Sequence, residues 1–182
     1  MAIKAVAMDV DGVLTDGTVW LDETGRESKR IAFVDVMGVS LGRRAGLLFA
    51  LISGEAGVLF DVIAAKLGIT DTYPGCKDKA AAVRDFAARH DVGLVEVCFI
   101  GDDVNDVSAL EICGLGVVPA DAQPAASAVA ATITTRPGGG GSVRELIDSL
   151  LAASGADRVA LGDNAPRGGR QSLGHGDRRP PK

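Results

Sequence analysis

At 182 residues, with 47% hydrophobic and 24% charged residues, the chain has the length and composition of one globular domain with a sizeable core. Aromatic residues make up only 4%, which disfavours the stacking platforms of single-stranded nucleic-acid binding. The net charge of −5 divides unevenly: residues 155–182 carry six Lys/Arg against three Asp/Glu, leaving −8 on residues 1–154, a balance that suits a divalent cation better than nucleic acid.

Cys76, Cys98 and Cys113 are odd in number and lack CxxC spacing, so neither a disulfide framework nor a zinc site is indicated. Met1-Ala-Ile-Lys4 runs straight into an apolar segment, which leaves no room for a signal peptide, and no apolar run approaches membrane-spanning length. A cytoplasmic protein, with no membrane and no nucleic-acid partner, is expected.

In chain order, Ala5–Met8 is a short apolar run suited to a buried strand, and it ends in Asp9-Val-Asp11-Gly12. Thr18–Leu21 and Ser28–Phe33 read as two short strands around the turn Asp22-Glu23-Thr24-Gly25, a hairpin (17–34) inserted after the first strand. Trp20 and Phe33 within it either pack the hairpin on the domain or form a subunit contact. A helix is predicted over Val39–Gly46, a buried strand over Leu47–Ile52 ending in Ser53-Gly54, and an amphipathic helix over Ala56–Leu67 stopped by Gly68. Thr72-Tyr73 begins a short strand, Lys77–His90 an alanine-rich helix, and Val95–Ile100 a strand ending in Gly101-Asp102-Asp103. Asn105–Ile112, Leu115–Val118, Gln123–Ala128 and Ala131–Thr134 continue the alternation of helix and strand. After Pro137 and Gly138–Gly141, Ser142 and Glu145 have capping-box spacing and open a last helix to about Ala153.

This alternation argues an α/β domain over 1–154, a parallel sheet with helices on both faces. Residues 155–182, with six glycines and three prolines, have the composition of a disordered tail.

In such a sheet, ligands gather at the carboxyl ends of the strands. Three strands end there in chemistry: Asp9 with Asp11, Ser53-Gly54, and Gly101-Asp102-Asp103 with Asp106. Lys79, at the start of a helix, can reach the same edge. Clustered carboxylates repel one another unless a cation is present. Mg2+ held by one or two of them, with lysine and a hydroxyl on phosphate oxygens, is what phosphoryl transfer asks of a protein. One aspartate can then act as nucleophile and a second as acid and base.

These residues resemble the motifs of the haloacid dehalogenase (HAD) superfamily: Asp9-Val-Asp-Gly-Val-Leu-Thr15 the first, Ser53 the second, Lys79 the third, and Gly101-Asp-Asp-Val-Asn-Asp106 the fourth. The hairpin in place of a large cap, Phe33–Gly38 around Asp35, Leu67-Gly-Ile69 and Gly-Gly-Ser-Val-Arg144-Glu145 resemble the small-cap branch of Kdo-8-phosphate phosphatases, Kdo being 3-deoxy-D-manno-octulosonate. The resemblance covers about residues 3–152. It implies a Rossmann-like HAD fold and a Mg2+-dependent phosphomonoesterase acting on a small phosphorylated sugar or sugar acid through an aspartyl phosphate, in the carbohydrate metabolism of lipopolysaccharide biosynthesis. Asp9 would be nucleophile and metal ligand. Asp11 would be acid/base and ligate the metal through its carbonyl. Ser53, Gly54 and Lys79 would hold the phosphoryl group. Asp102 would complete the metal ligands, with Asp103 and Asp106 in support. The branch also implies a homotetramer through the hairpins, which makes Trp20 and Phe33 interface residues.

Three features depart from the branch. Glu55 stands where arginine is usual after Ser53-Gly54, Gly138–Gly141 lacks a basic or polar residue, and Asp35 is not followed by glycine. Asp35 and Glu55 are therefore candidates for contact with substrate, and Asp35 has a helix-capping role as its alternative. An oligomeric binding or regulatory module of the same fold, with little catalysis, is the competing reading.

Overall fold

The computed structural model describes residues 2–155. The predicted tail, past Gly155, lies outside them. Six strands, all parallel, form one sheet in the order β5-β4-β1-β6-β7-β8: β1 Ala5–Met8, β4 Leu48–Ile52, β5 Asp71–Tyr73, β6 Val97–Ile100, β7 Leu115–Val118 and β8 Thr132–Ile133. The helices are α1 Phe33–Arg44, α2 Val58–Leu67, α3 Lys79–Arg89, α4 Val107–Ile112, α5 Pro124–Val129 and α6 Ser142–Ala153. No helix among the described residues is long and apolar enough to cross a membrane.

Alternation along the strands sorts the core into two layers. Val6 and Met8 of β1 join Leu51, Ile100 and the apolar stripes of α1, α2 and α6, including Val39, Phe60, Leu146 and Ile147. Ala5 and Ala7 face the other way with Ile52 and Phe99, against Val83 and Phe86 of α3 and residues of α4 and α5. The small residues Ala5, Ala7 and Ala50 let α3 lie close to that face, which explains how a core so poor in aromatics is filled.

The hairpin is present but smaller than predicted. Its strands are β2 Trp20–Leu21 and β3 Glu27–Ser28, antiparallel, with Trp20 opposite Ser28. Phe33 is not in its second limb, and the segment predicted as 17–34 gives way to helix at Phe33. That helix therefore begins six residues before the predicted Val39. Exposed Phe33, Val34 and Met37 hid the pattern, because the buried positions of α1 are Asp35, Gly38, Val39 and Gly42. Glycine is required at 38, where a Cβ would come within 2.9 Å of the Arg144 Cα.

The predicted capping box of α6 does not form. Gly141 is its N-cap, and the Glu145 carboxylate instead accepts from Thr135 N (2.8 Å) and Arg136 N (3.1 Å). Asp35, from α1, supplies the missing acceptor. Its two oxygens take Arg144 N at 2.8 Å and Gly141 N at 3.1 Å, and the side chain is buried. A carboxylate at that position satisfies amides that α6 leaves open and opposes its macrodipole.

Candidate active site

Register brings the motifs together. Met8 pairs with Leu51 on one side and Ile100 on the other, so Asp9, Ser53 and Gly101-Asp102 emerge from neighbouring strands at one edge. The open cleft there, of about 270 Å³, is lined by Asp9, Asp11, Gly17, Ser53, Gly54, Glu55, Asp102, Asp103 and Asn105. A larger hollow of about 750 Å³ at the Ile3, Val95 and Leu150 end is lined by no titratable side chain.

Lys79 is the centre of charge. Its side chain is fully buried as the first residue of α3, after Asp78 caps that helix by accepting from Ala81 N at 2.9 Å. Its Nζ lies 2.9 Å from Asp9 Oδ2 and 2.5 Å from Asp106 Oδ1. Lys77 is at the rim, donating to the Gly54 carbonyl at 3.0 Å. The other oxygen of Asp106 accepts from the amides of Asp102 (2.9 Å) and Asp103 (3.2 Å), which shapes the loop after β6. Asp103 caps the following turn through Val104 N at 2.6 Å. Asp9 Oδ1 accepts from Val10 N at 2.7 Å.

One buried lysine between two aspartates, with Asp102 beside them, leaves an excess of negative charge. Burial pushes the Asp102 carboxyl up to about 7, helped by the charges of Asp9 and Asp106. Burial also raises Asp9, against the opposing pull of Lys79. For Lys79, burial works downward, but the two aspartates outweigh it and the net shift is upward. Oxygens of Asp9, Asp102 and Asp106 lie within 4.8 Å of one another, the spacing of a cation-binding group. Because Asp106 is committed to Lys79 and two amides, Asp9 and Asp102 are the carboxylates with capacity left for a cation. Oxygen donors of this kind suit Mg2+.

Gly12 is required here. Its φ is +84°, and a Cβ would collide with the Asp102 carboxylate. The Gly138–Gly141 loop does not line the cleft; it braces the first motif from behind. Gly139 N donates to the Val13 carbonyl at 2.9 Å, and a Cβ at Gly138 would strike the Gly12 carbonyl. Asp35 is likewise absent from the cleft lining, and its carboxylate is engaged with the start of α6. Glu55 does line the cleft, as does buried Ser53, whose Oγ accepts from Glu55 N at 3.1 Å.

Asp11 has a partner that sequence reasoning missed. Lys29, from the end of the hairpin, places its Nζ 2.8 Å from both carboxylate oxygens, and Thr15 Oγ1 donates to Asp11 Oδ1 at 3.2 Å. The available signal was slight: a lysine after a β-strand, in a segment read only for its aromatic residues. Burial raises the pKa of the Cys76 thiol, in the loop before α3.

The haloacid dehalogenase-like hydrolase family model matches residues 48–146. The 3-deoxy-D-manno-octulosonate 8-phosphate phosphatase of Escherichia coli K12 is 35% identical over 162 residues, 89% of this chain and 86% of that one. The crystal structure of the Moraxella catarrhalis 3-deoxy-D-manno-octulosonate 8-phosphate phosphatase, in complex with magnesium, phosphate and KDO, superposes with a TM-score of 0.83 at 33% identity, covering 87% of this chain and 91% of that one. The cobalt-bound Haemophilus influenzae phosphatase gives 0.81 at 33% identity, covering 84% and 90%. With its sheet, its motif order and these likenesses in agreement, the chain belongs to the haloacid dehalogenase-like hydrolases, among the relatives of the 3-deoxy-D-manno-octulosonate 8-phosphate phosphatases.

Proposed function

We propose that this phosphatase is a Mg2+-dependent phosphomonoesterase that hydrolyses a small phosphorylated sugar or sugar acid, Kdo-8-phosphate-like, through a phosphorylated Asp9. The observation that carries the reading is the pairing of Asp9 with buried Lys79 at the open end of β1, with Asp102 alongside. Asp9, Asp102 and the Asp11 carbonyl would hold the ion. When bound, Mg2+ neutralises the carboxylates and the charge of the transferring phosphoryl group.

The residues then divide the work. Ser53, the Gly54 backbone and Lys79 bind and orient the phosphoryl oxygens. An Asp9 carboxylate oxygen bonds to phosphorus as the bond to the sugar oxygen breaks, and that oxygen takes a proton from Asp11. In the second half Asp11 takes a proton from water, whose oxygen displaces Asp9 and releases phosphate. Asp106 keeps Lys79 and the amides of Asp102 and Asp103 in place throughout, while Asp103 shapes the loop.

The leaving group would occupy the cavity of about 470 Å³ beside Asp11, between the hairpin and the start of α2, with Glu55 on its wall. A homotetramer through the hairpins is part of the same reading, supported by Trp20 at 74% and Leu21 at 65% exposure. A Kdo-8-phosphate-like substrate would place the enzyme in the carbohydrate metabolism that feeds lipopolysaccharide. Free cysteines are in keeping with the cytoplasm. The reading is tested by phosphate release from a panel of sugar phosphates and sugar-acid phosphates with Mg2+. Turnover of at least one supports it, whereas metal binding without turnover of any favours the binding module.

A further inference from the structure

The Lys29–Asp11 pair is unlike the other tie of the hairpin. Arg30 meets Asp16 at 3.1 Å on the surface, with 70% of the arginine side chain exposed. That contact is an anchor of the ordinary weak kind. Lys29, next to Ser28 in the same hairpin that exposes Trp20, keeps only 12% of its side chain exposed. Its ammonium touches both oxygens of the one carboxylate assigned to proton transfer. It also stands between two hollows, the cavity of about 470 Å³ toward α2 and one of about 370 Å³ toward Gly17–Val19, with Asp11 and Lys29 lining both. Burying an ammonium there is costly unless it is paired, and the pair it makes fixes the direction of the Asp11 carboxyl group.

We propose that Lys29 is a positioning residue for the acid–base step, carried by the hairpin and acting through Asp11. The inference rests on the acid–base role of Asp11 proposed above. As Asp9 bonds to phosphorus and the ester bond breaks, the leaving oxygen takes the Asp11 proton and Asp11 becomes a carboxylate. The Lys29 ammonium stabilises that carboxylate as it forms and holds its two oxygens in one orientation. When water later gives its proton to Asp11 and its oxygen displaces Asp9, the same contact returns the group to its starting geometry. Seating the hairpin and preparing the acid thus become one event, since the residue that does the second belongs to the first.

The dependence on leaving group tests this. p-Nitrophenyl phosphate expels a stable anion that needs little protonation, while benzyl phosphate expels an alkoxide that must be protonated. With the full chain and Mg2+, Lys29→Met is expected to lower kcat/KM for benzyl phosphate about 100-fold and for p-nitrophenyl phosphate only about threefold. Lys29→Arg restores most of the benzyl phosphate activity. In an Asp11→Asn background, Lys29→Met adds no further loss on benzyl phosphate. Equal losses on both substrates, no loss on benzyl phosphate, or an additional loss in the Asp11→Asn background each overturn the proposal. Circular dichroism checks folding, and Lys29→Gln is read in the same way if the methionine variant does not fold. Asp9→Asn, assayed in parallel, separates the two levels: if it retains activity the reading of the site fails, and if it is inactive only the role of Lys29 is at stake.

Discussion

The Lys79 ammonium stands 2.9 Å from the Asp9 carboxylate, with both side chains buried at the end of the central strand. The same ammonium holds Asp106 at 2.5 Å, so a single cation orders the Asp9 carboxylate and the loop that carries Asp102.

Removing that cation leaves two buried carboxylates with amide donors but no counter-charge. Lys79→Met is expected to lower unfolding free energy by about 3 kcal/mol in metal-free protein. Urea unfolding measures it, and saturating Mg2+ should recover part of the loss by restoring positive charge. A Lys79→Met protein as stable as the parent without metal would mean that the charges are not coupled as described.

The raised carboxylates make a statement about pH. Asp102 titrates near 7 in the fold against 3.8 as an ordinary aspartate, and Asp9 is shifted the same way. Folding therefore favours their protonated forms. Their contribution to stability is complete below the ordinary value, declines as pH rises, and is lost on passing the folded-state value. Metal demands the deprotonated forms, so Mg2+ should raise Tm far more at about pH 7.5 than at about pH 5. Calorimetry with Mg2+ and with excess chelator at both pH values checks this. Equal increments would contradict the assignment of these carboxylates to the cation.

Trp20 presents a large apolar surface on a hairpin of two very short strands, an arrangement that is marginal alone. Trp20→Asp is expected to reduce the proposed homotetramer to smaller species at micromolar concentration, as read by sedimentation velocity. A wild-type protein that is monomeric, or a variant with unchanged mass, would remove the hairpin from the interface.

Much of this arrangement is legible in the sequence, for a physical reason. Apolar runs such as Ala5–Met8 and Val97–Ile100 announce buried parallel strands, and carboxylates at their ends need a cation. Elements whose logic is tertiary stayed hidden. The α1 start at Phe33 was obscured by exposed hydrophobic residues, one of them under the Lys66 ammonium at 5.1 Å. Asp35 caps a helix more than a hundred residues away, a partnership that local patterns cannot reveal. Gly138–Gly141 looked like a loop missing a side chain, whereas close approach to Gly12 and Thr15 excludes one at Gly138. Lys29 escaped notice because its partner, Asp11, lies before the hairpin, in the loop after β1.

In the proposed reaction Asp9 carries the phosphoryl group. The direct measurement is acid quenching of the Mg2+-loaded enzyme during turnover of a 32P-labelled substrate, followed by mapping of the labelled peptide. Label on the Ala5–Thr15 segment, lost in Asp9→Asn together with turnover, is the result expected. Label elsewhere, or an Asp9→Asn enzyme that still hydrolyses the ester at the parent rate, would contradict it.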